Sequence, residues 1–288
     1  MDSVTTKQQH MLVGTVRGYR ATLRDAHHIM LSRMGMFARS LWPICLLSGV
    51  CVTLLIYLLP KAMPQTVMWE IGIVGMAELF LLSVMIQVVS AMLADKSDDS
   101  AWMPFGYRRD GGKLLKKSLH TFGLLIIQYV LMGVLVVASL YVTKQFPYIW
   151  IFAVLLCVFL AVFINVGVFY QVQSGTGILK SCRWSMMRMK NYFGSTFFLL
   201  FVAFWEILLS TVVLCLPLII INLAMFQSNQ AVLMGDFTDL PHRIPVVQIV
   251  LGIILVSLSS FMQICWILPQ VLHVASVRTM ILKRKKVE

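Results

Sequence analysis

The sequence predicts an all-α, polytopic integral membrane protein with six transmembrane helices and cytoplasmic amphipathic juxtamembrane helices. Its 288 residues are 59% hydrophobic and only 12% charged, with a mean hydropathy of +0.84. Soluble domains carry roughly 25% charged residues, so most of this chain needs lipid as its solvent. Six apolar runs are long enough to cross a bilayer, and the basic residues alternate between their connections.

The predicted organisation has three parts and no soluble domain, because no polar interval approaches about 100 residues. Residues 1–40 form a cytoplasmic segment with an amphipathic helix, 41–275 the six-helix domain, and 276–288 a basic cytoplasmic tail. The first apolar run begins so far from Met1 that we expect the N-terminal segment to be retained. The six cysteines form no CxxC pair, which favours packing roles over metal binding or disulfides.

The N-terminal segment contains a helical pattern with a cationic face. From Tyr19 to Phe37 the apolar residues recur at three- and four-residue spacing, while Arg17, Arg20 and Arg24 fall largely on the other side. Such a helix suits the headgroup layer of a membrane, but it could equally pack on its own protein. Both alternatives remain open from the sequence.

The six apolar runs account for most of the remaining chain. At 1.5 Å per residue each is long enough for about 30 Å of hydrocarbon. The last two exceed about 25 residues, so we expect tilt or a kink, with Pro217 and Pro269 as the natural sites. The predicted spans are residues 41–60, 67–93, 119–143, 147–172, 195–224 and 246–275.

The basic residues predict the orientation. Twenty-one of the 24 Lys and Arg residues lie in the N-terminal segment, the second and fourth connections, and the C-terminal tail. The other three connections carry one each: Lys61, Lys144 and Arg243. This alternation predicts that both termini are cytoplasmic, in the cell's inner (plasma) membrane. It also explains the +12 net charge without nucleic-acid binding.

The same plan of a basic segment leading into an apolar helix occurs three times. Leu23–Trp42 aligns without gaps on Leu179–Phe198, so that Phe37 meets Phe193. Lys113–Gly123 fits the template more weakly. We interpret these as three units of amphipathic segment plus helical hairpin, although any basic juxtamembrane segment shares this composition.

A family resemblance follows from the basic runs and the aromatic-small pairs that precede the apolar helices. The stretches RWSMMRMKNYFGSTFFLL and HHIMLSRMGMFARSLW resemble a group of bacterial six-helix membrane proteins. The group includes the membrane domain attached to some glycerophosphodiester phosphodiesterases and its stand-alone relatives. The resemblance implies a six-helix membrane fold. It transfers no catalytic residue, because the soluble phosphodiesterase domain has no counterpart in this sequence.

Catalytic and metal-binding motifs are missing from the sequence. The stretch GTGILKS starting at Gly175 lacks the glycine that a P-loop needs before its lysine, and its glycines better suit a break between helices. His27 and His28 are adjacent and point about 100° apart, which does not suit two metal ligands on one helix. The acidic cluster at Asp95, Asp98 and Asp99 is typical of a solvated loop. We expect no enzyme activity, no cofactor and no metal.

Two glutamates stand out inside the predicted spans. Glu78 and Glu206 each lie about 11 residues, roughly 16 Å, from the end at which their span begins. A charged carboxyl at that depth costs several kcal/mol, and no Lys or Arg lies within any span to pair with it. We expect the two glutamates to approach each other or the polar stripe of Ser259, Ser260 and Gln263 on the sixth span. There they would either hold helices together by hydrogen bonds or form a proton- or substrate-linked site.

Two classes of function follow. The first is a non-enzymatic module that binds lipids or protein partners, including a second copy of itself. The alternative is a small transporter or lipid-handling protein with a midplane site at Glu78, Glu206, Gln263 and Ser259. In both, a cationic collar binds the anionic headgroups of the inner leaflet. The collar comprises Arg24, Lys113, Lys116, Lys117, Lys180, Arg183 and Arg188.

Overall fold

The computed structural model describes residues 18–58, 64–94, 111–143, 149–189, 191–233 and 244–287. Within these ranges the chain forms helices and no strand, and six stretches are long and apolar enough to cross a membrane. The predicted all-α polytopic class is therefore confirmed. The helices are α1 Tyr19–Ser32, α2 Met34–Leu58, α3 Pro64–Ala94, α4 Gly111–Thr143, α5 Ile149–Ser174, α6 Ile178–Met189, α7 Phe193–Leu233, α8 Ile244–Met262 and α9 Ile264–Val287.

The N-terminal amphipathic helix ends earlier than its pattern predicts. The helix breaks at Arg33, whose φ of −117° and ψ of 19° leave the α region, and the next residue begins α2. Phe37, which continues the apolar pattern of α1, is instead fully buried near the start of α2. Helix α1 packs on α9 and α7, so the structure corresponds to a helix docked on its own protein.

The three proposed repeats differ in structure. The first and third amphipathic segments form separate helices, α1 and α6, each followed by a break before a spanning helix. The second segment, Lys113–Gly123, is continuous with its spanning helix and belongs to α4. The difference has a sequence cause in the third copy, where Asn191 and Tyr192 form a turn before Phe193.

Helix α6 folds back onto the end of α5. Gly175 ends α5 with a φ of +66°, and its amide donates to the carbonyl of Gln171 at 2.8 Å. Glycine suits this left-handed position at a helix C-terminus. The glycines of the GTGILKS stretch therefore break the helix, as predicted. Ser185 of α6 then donates to the carbonyl of Phe163, which anchors α6 along α5.

Helices α2 and α8 pack through small residues. Gly49 lies against Ile253 and Ser257, and Gly252 lies against Thr53. A Cβ placed on Gly49 would lie 2.6 Å from the backbone carbonyl oxygen of Ile253, so the two helices approach too closely there for a larger side chain. In lipid, where apolar burial gains little, such close approach is a main source of helix association. Helix α2 also packs on α3, and helix α8 also packs on α7.

The sixth predicted span is divided into two helices. Its interruption falls at Gln263, six residues before Pro269, whereas Pro217 and Pro269 lie inside α7 and α9. The amide of Gln263 bonds to the carbonyl of Ser260, a tighter turn than the α-helix provides. The interruption at Gln263 was not predicted, and the expected kinks at Pro217 and Pro269 stay predictions. Beyond it, α9 is buried among α1, α3, α5 and α7 and continues through the predicted C-terminal tail to Val287.

The outer surface of the bundle is apolar. Helix α7 carries the most hydropathic span, yet few of its side chains are buried. Side chains such as Val213 and Phe226 are more than half exposed. An apolar surface of this extent is what hydrocarbon solvates. Six spans and this surface together make the chain a multi-pass integral membrane protein.

Candidate functional site

Glu78 lies at the centre of a polar cluster contributed by three helices. The Ser48 hydroxyl of α2 donates to Glu78 Oε2 at 2.8 Å. Ser48 Oγ also lies 2.8 Å from Ser260 Oγ of α8. Because a serine hydroxyl carries one hydrogen, Ser260 donates to Ser48 while Ser48 donates to Glu78. The second carboxyl oxygen, Oε1, is buried and has no hydrogen-bond partner within the described residues.

The cluster forms the polar floor of an apolar cleft of about 610 Å³, which we call the first cleft. Thr211 of α7 and Ser259 of α8 complete the floor and lie 2.8 Å apart. The walls come from α2, α7 and α8, and they include Val52, Ile56, Cys215, Leu218, Leu223 and Phe226. A concave apolar site with a few convergent polar groups is typical of a small-molecule site.

A second cleft of about 520 Å³ lies between α3 and α4. Its walls include Ile71, Met76 and Tyr129. Glu78 and Gln263 line both clefts. Gln263, at the helix interruption, therefore lies beside both clefts, and its side chain makes no hydrogen bond to any described residue. This polar pair forms part of the wall of each cleft.

The structure separates the two glutamates that the sequence grouped. Glu206 Oε1 lies 3.4 Å from His27 Nε2 of α1, and it lines neither of the two clefts. Along α7 it lies five residues before Thr211, roughly 7.5 Å from the floor of the first cleft. The expectation that Glu206 joins Glu78 or the stripe of Ser259 and Gln263 is therefore corrected. Glu78, Ser259 and Gln263 do line one cleft.

The partner of Glu206 comes from outside the spans. No Lys or Arg lies within the predicted spans, but α1 packs on α7 and supplies an imidazole instead. Tyr19 of α1 stacks on Phe198 of α7 at a centroid distance of 6.0 Å, so the two helices stay in contact over two turns. Both His27 and Glu206 are about one-third exposed, at 37% and 32%. We interpret this pair as an anchor for α1.

The predicted collar is exposed where the structure describes it. Lys116, Lys117, Lys180 and Arg183 are exposed, and the Arg24 side chain is 82% exposed with a weak contact to Asp25. The side chains of Lys113 and Arg188 lie outside the described residues, as does the acidic cluster 95–99. On α6, Leu179 and Met186 are exposed beside the cations. The exposed surface of α6 is thus both apolar and basic.

Sequence reasoning missed Ser48 and Thr211, which complete the polar floor. Each is a single hydroxyl residue within an apolar run, and such residues commonly bond to their own helix backbone. One signal was present: Ser48 precedes Gly49, and small residues in a membrane helix favour close contact with a partner helix. No His, Cys, Asp or Glu cluster suited to a metal ion occurs among the described residues.

No family model, curated protein or solved structure matches this chain. The resemblance to the membrane domain of glycerophosphodiester phosphodiesterases therefore stays a prediction.

Proposed function

We propose that this protein is a non-enzymatic, integral membrane module that binds a membrane-soluble amphiphile in the first cleft. The observation that carries the proposal is the position of the half-satisfied Glu78 carboxyl in the polar floor of a cleft whose walls are mostly apolar. The volume of about 610 Å³ lies inside the range of roughly 300–1,000 Å³ typical of small-molecule sites. The ligand's apolar part would fill the walls and its polar group would reach Glu78.

The polar floor supplies the selectivity. An acyl chain that moves from bilayer hydrocarbon into the cleft exchanges one apolar environment for another, so it gains little free energy. A hydrogen bond to Glu78 is made where water does not compete, and is correspondingly stronger. The floor therefore selects ligands that carry a hydrogen-bonding group, and the walls accept a range of chains.

The cost of Glu78 supports a functional role. An ionisable side chain inside a membrane helix is expensive, and a packing role would be better served by a residue whose polar atoms are all satisfied. Ser48 satisfies one oxygen of Glu78 and leaves the other buried without a partner. A ligand's polar group would complete the network once the Glu78 side chain turns Oε1 toward the cleft.

The test is retention of co-purified lipid by the full-length protein, measured by native mass spectrometry. We expect Glu78→Leu to lose at least tenfold in retained ligand, since its floor can no longer bond. Glu206→Leu is the matched control and should retain ligand, because Glu206 lies outside both clefts. Cys215→Trp, which fills the apolar wall without touching the polar floor, should also lose ligand. Wild-type retention by both Glu78→Leu and Cys215→Trp would refute the proposal.

A second candidate is a small proton-linked transporter, and it rests on the contact of Glu78 with both clefts. Glu78→Gln separates the two. Glutamine keeps the shape and the hydrogen-bonding capacity but cannot exchange a proton. A binding module should retain ligand in this variant, whereas a transporter should lose proton-coupled flux in reconstituted vesicles and yet fold normally.

We further propose that both termini are cytoplasmic in a bacterial inner membrane and that the collar binds anionic headgroups. The alternation of basic connections supports the orientation. The exposed Lys180 and Arg183 beside the exposed Leu179 and Met186 support contact of α6 with a headgroup layer. A protein partner or a second copy of the chain would bind in the same membrane plane.

A further inference from the structure

We propose that the ligand is a two-chain lipid with a free hydroxyl at its polar centre, with one chain in each cleft and the hydroxyl at Glu78. This inference rests on the proposed function and adds the class of ligand. Its basis is that two largely apolar clefts of similar volume, about 610 and 520 Å³, share the residues Glu78 and Gln263 in their walls. One polar group that joins two apolar arms matches that arrangement.

The second cleft has room for a chain. Gly72 and Gly75 of α3 line it, and a Cβ built on either residue would meet no other atom within 4 Å. Neighbouring side chains on the same turns, Ile71, Ile73 and Met76, are exposed at the bundle surface. An acyl chain can therefore lie against this part of α3 directly from the bilayer, without crossing a polar layer.

The chemistry of the free carboxyl oxygen favours a hydroxyl. Glu78 Oε2 is occupied by Ser48, and Oε1 is buried without a partner, so a ligand would reach Oε1 only once the Glu78 side chain turns toward a cleft. As part of a carboxylate, Oε1 accepts a hydrogen bond; as the hydroxyl of the neutral acid, it donates one. A ligand hydroxyl both donates and accepts, so it fits either state. The Gln263 amide offers a second donor and acceptor at the same wall.

The three probes are 1,2-dioleoylglycerol, its O-methyl ether and monooleoylglycerol, each added to the full-length protein in lipid nanodiscs. Dioleoylglycerol has two chains and one free hydroxyl. The ether lacks the hydrogen of that hydroxyl, and monooleoylglycerol has a second free hydroxyl in place of one chain. We expect native mass spectrometry to show at least tenfold weaker binding of the ether. Equal binding of the ether and the free alcohol would overturn the role of the hydroxyl.

Two filling variants test the two-chain geometry. Gly75→Trp obstructs the second cleft and Cys215→Trp the first, while Gly133→Trp places the same side chain on an open surface of α4 as control. Both cleft variants should weaken dioleoylglycerol binding at least tenfold relative to the control. With monooleoylglycerol, either variant alone should have a smaller effect, because one cleft remains for its single chain.

The outcomes separate this inference from the proposed function. If Cys215→Trp weakens dioleoylglycerol binding and Gly75→Trp does not, the ligand occupies the first cleft alone. The two-chain inference is then wrong and the proposed function stands. If neither variant differs from Gly133→Trp, both are wrong. Thermal unfolding of each variant in detergent verifies that the variant is folded, so that a lost signal reflects the filled cleft. If Gly75→Trp does not fold, Gly75→Leu takes its place.

Discussion

Gly49 of α2 lies directly against the backbone of α8, and its replacement by alanine tests how these helices associate. A Cβ at this position would lie 2.6 Å from the carbonyl oxygen of Ile253 and would also overlap the Ser257 hydroxyl. Ser257 can rotate, but only by giving up its own bond of 2.6 Å to the same carbonyl. The Ile253 carbonyl belongs to the helix backbone and cannot move alone. The two helices would therefore have to separate.

The expected destabilisation is about 2 kcal/mol. Restoring ordinary contact requires a shift of just under 1 Å, and a gap of that size forfeits a quarter to a half of each dispersion contact along the interface. Overpacking costs typically about 1–3 kcal/mol, and the Ser257 bond adds about 1 kcal/mol. Alanine recovers up to about 1 kcal/mol because it favours the helix more than glycine does.

The assay is unfolding of the purified protein in detergent, by heat or by titration with a denaturing detergent. Gly133→Ala on α4 is the matched control, because its added Cβ meets nothing within 4 Å. We expect the control to be neutral or slightly more stable and Gly49→Ala to be clearly less stable. The double variant with Ser257→Ala should recover only part of the loss, since the backbone contact remains. If Gly49→Ala is as stable as the control, the close-packing argument is wrong.

Three further predictions address the orientation, the α1 anchor and the thiol of α6. In a cysteine-free background, Ser228→Cys should react with an impermeant thiol reagent in intact cells and Ser174→Cys only after permeabilisation; the reverse pattern would invert the topology. Glu206→Gln should lower the free energy of unfolding by less than about 1 kcal/mol, because the pair with His27 is partly exposed, and a larger loss would assign it a buried role. Burial raises the pKa of the Cys182 thiol above its ordinary 9.0. The thiolate therefore forms only at higher pH, and alkylation of a variant with this cysteine alone should still accelerate above pH 9; a plateau below pH 9 would contradict the raised pKa.

Several features of the site depend on residues far apart in the sequence. Glu78 could be identified from its depth in an apolar run, because the cost of an ionisable group in lipid follows from local sequence alone. Its partner Ser48 lies 30 residues earlier, and Ser260 lies 212 residues after Ser48. The sequence pattern around each serine does not distinguish it from a serine whose hydroxyl bonds to its own helix backbone. Their meeting depends on the close approach at Gly49, which is a property of two surfaces.

The partner of Glu206 illustrates the same limit. Depth alone put Glu206 with Glu78, because counting residues from a span end gives a position along the membrane normal and none around the bundle. Its contact with His27 follows from the packing of α1 on α7 and α9. Periodicity left that packing open, since an amphipathic helix satisfies a lipid surface and a protein surface equally well.

The sequence by itself determined the fold class, the six spanning segments with ends within about eight residues of those in the structure, and the bias of basic residues between connections. These properties are sums over neighbouring residues: hydropathy over about 20 positions, and charge within short loops. The tertiary structure decided which helices touch, where the last span breaks, and that Glu78 and Gln263 line two clefts at once. In lipid the hydrophobic effect does not select which helices pack together. Shape complementarity and a few interhelical hydrogen bonds make that selection, and both exist only between helices that are already in contact.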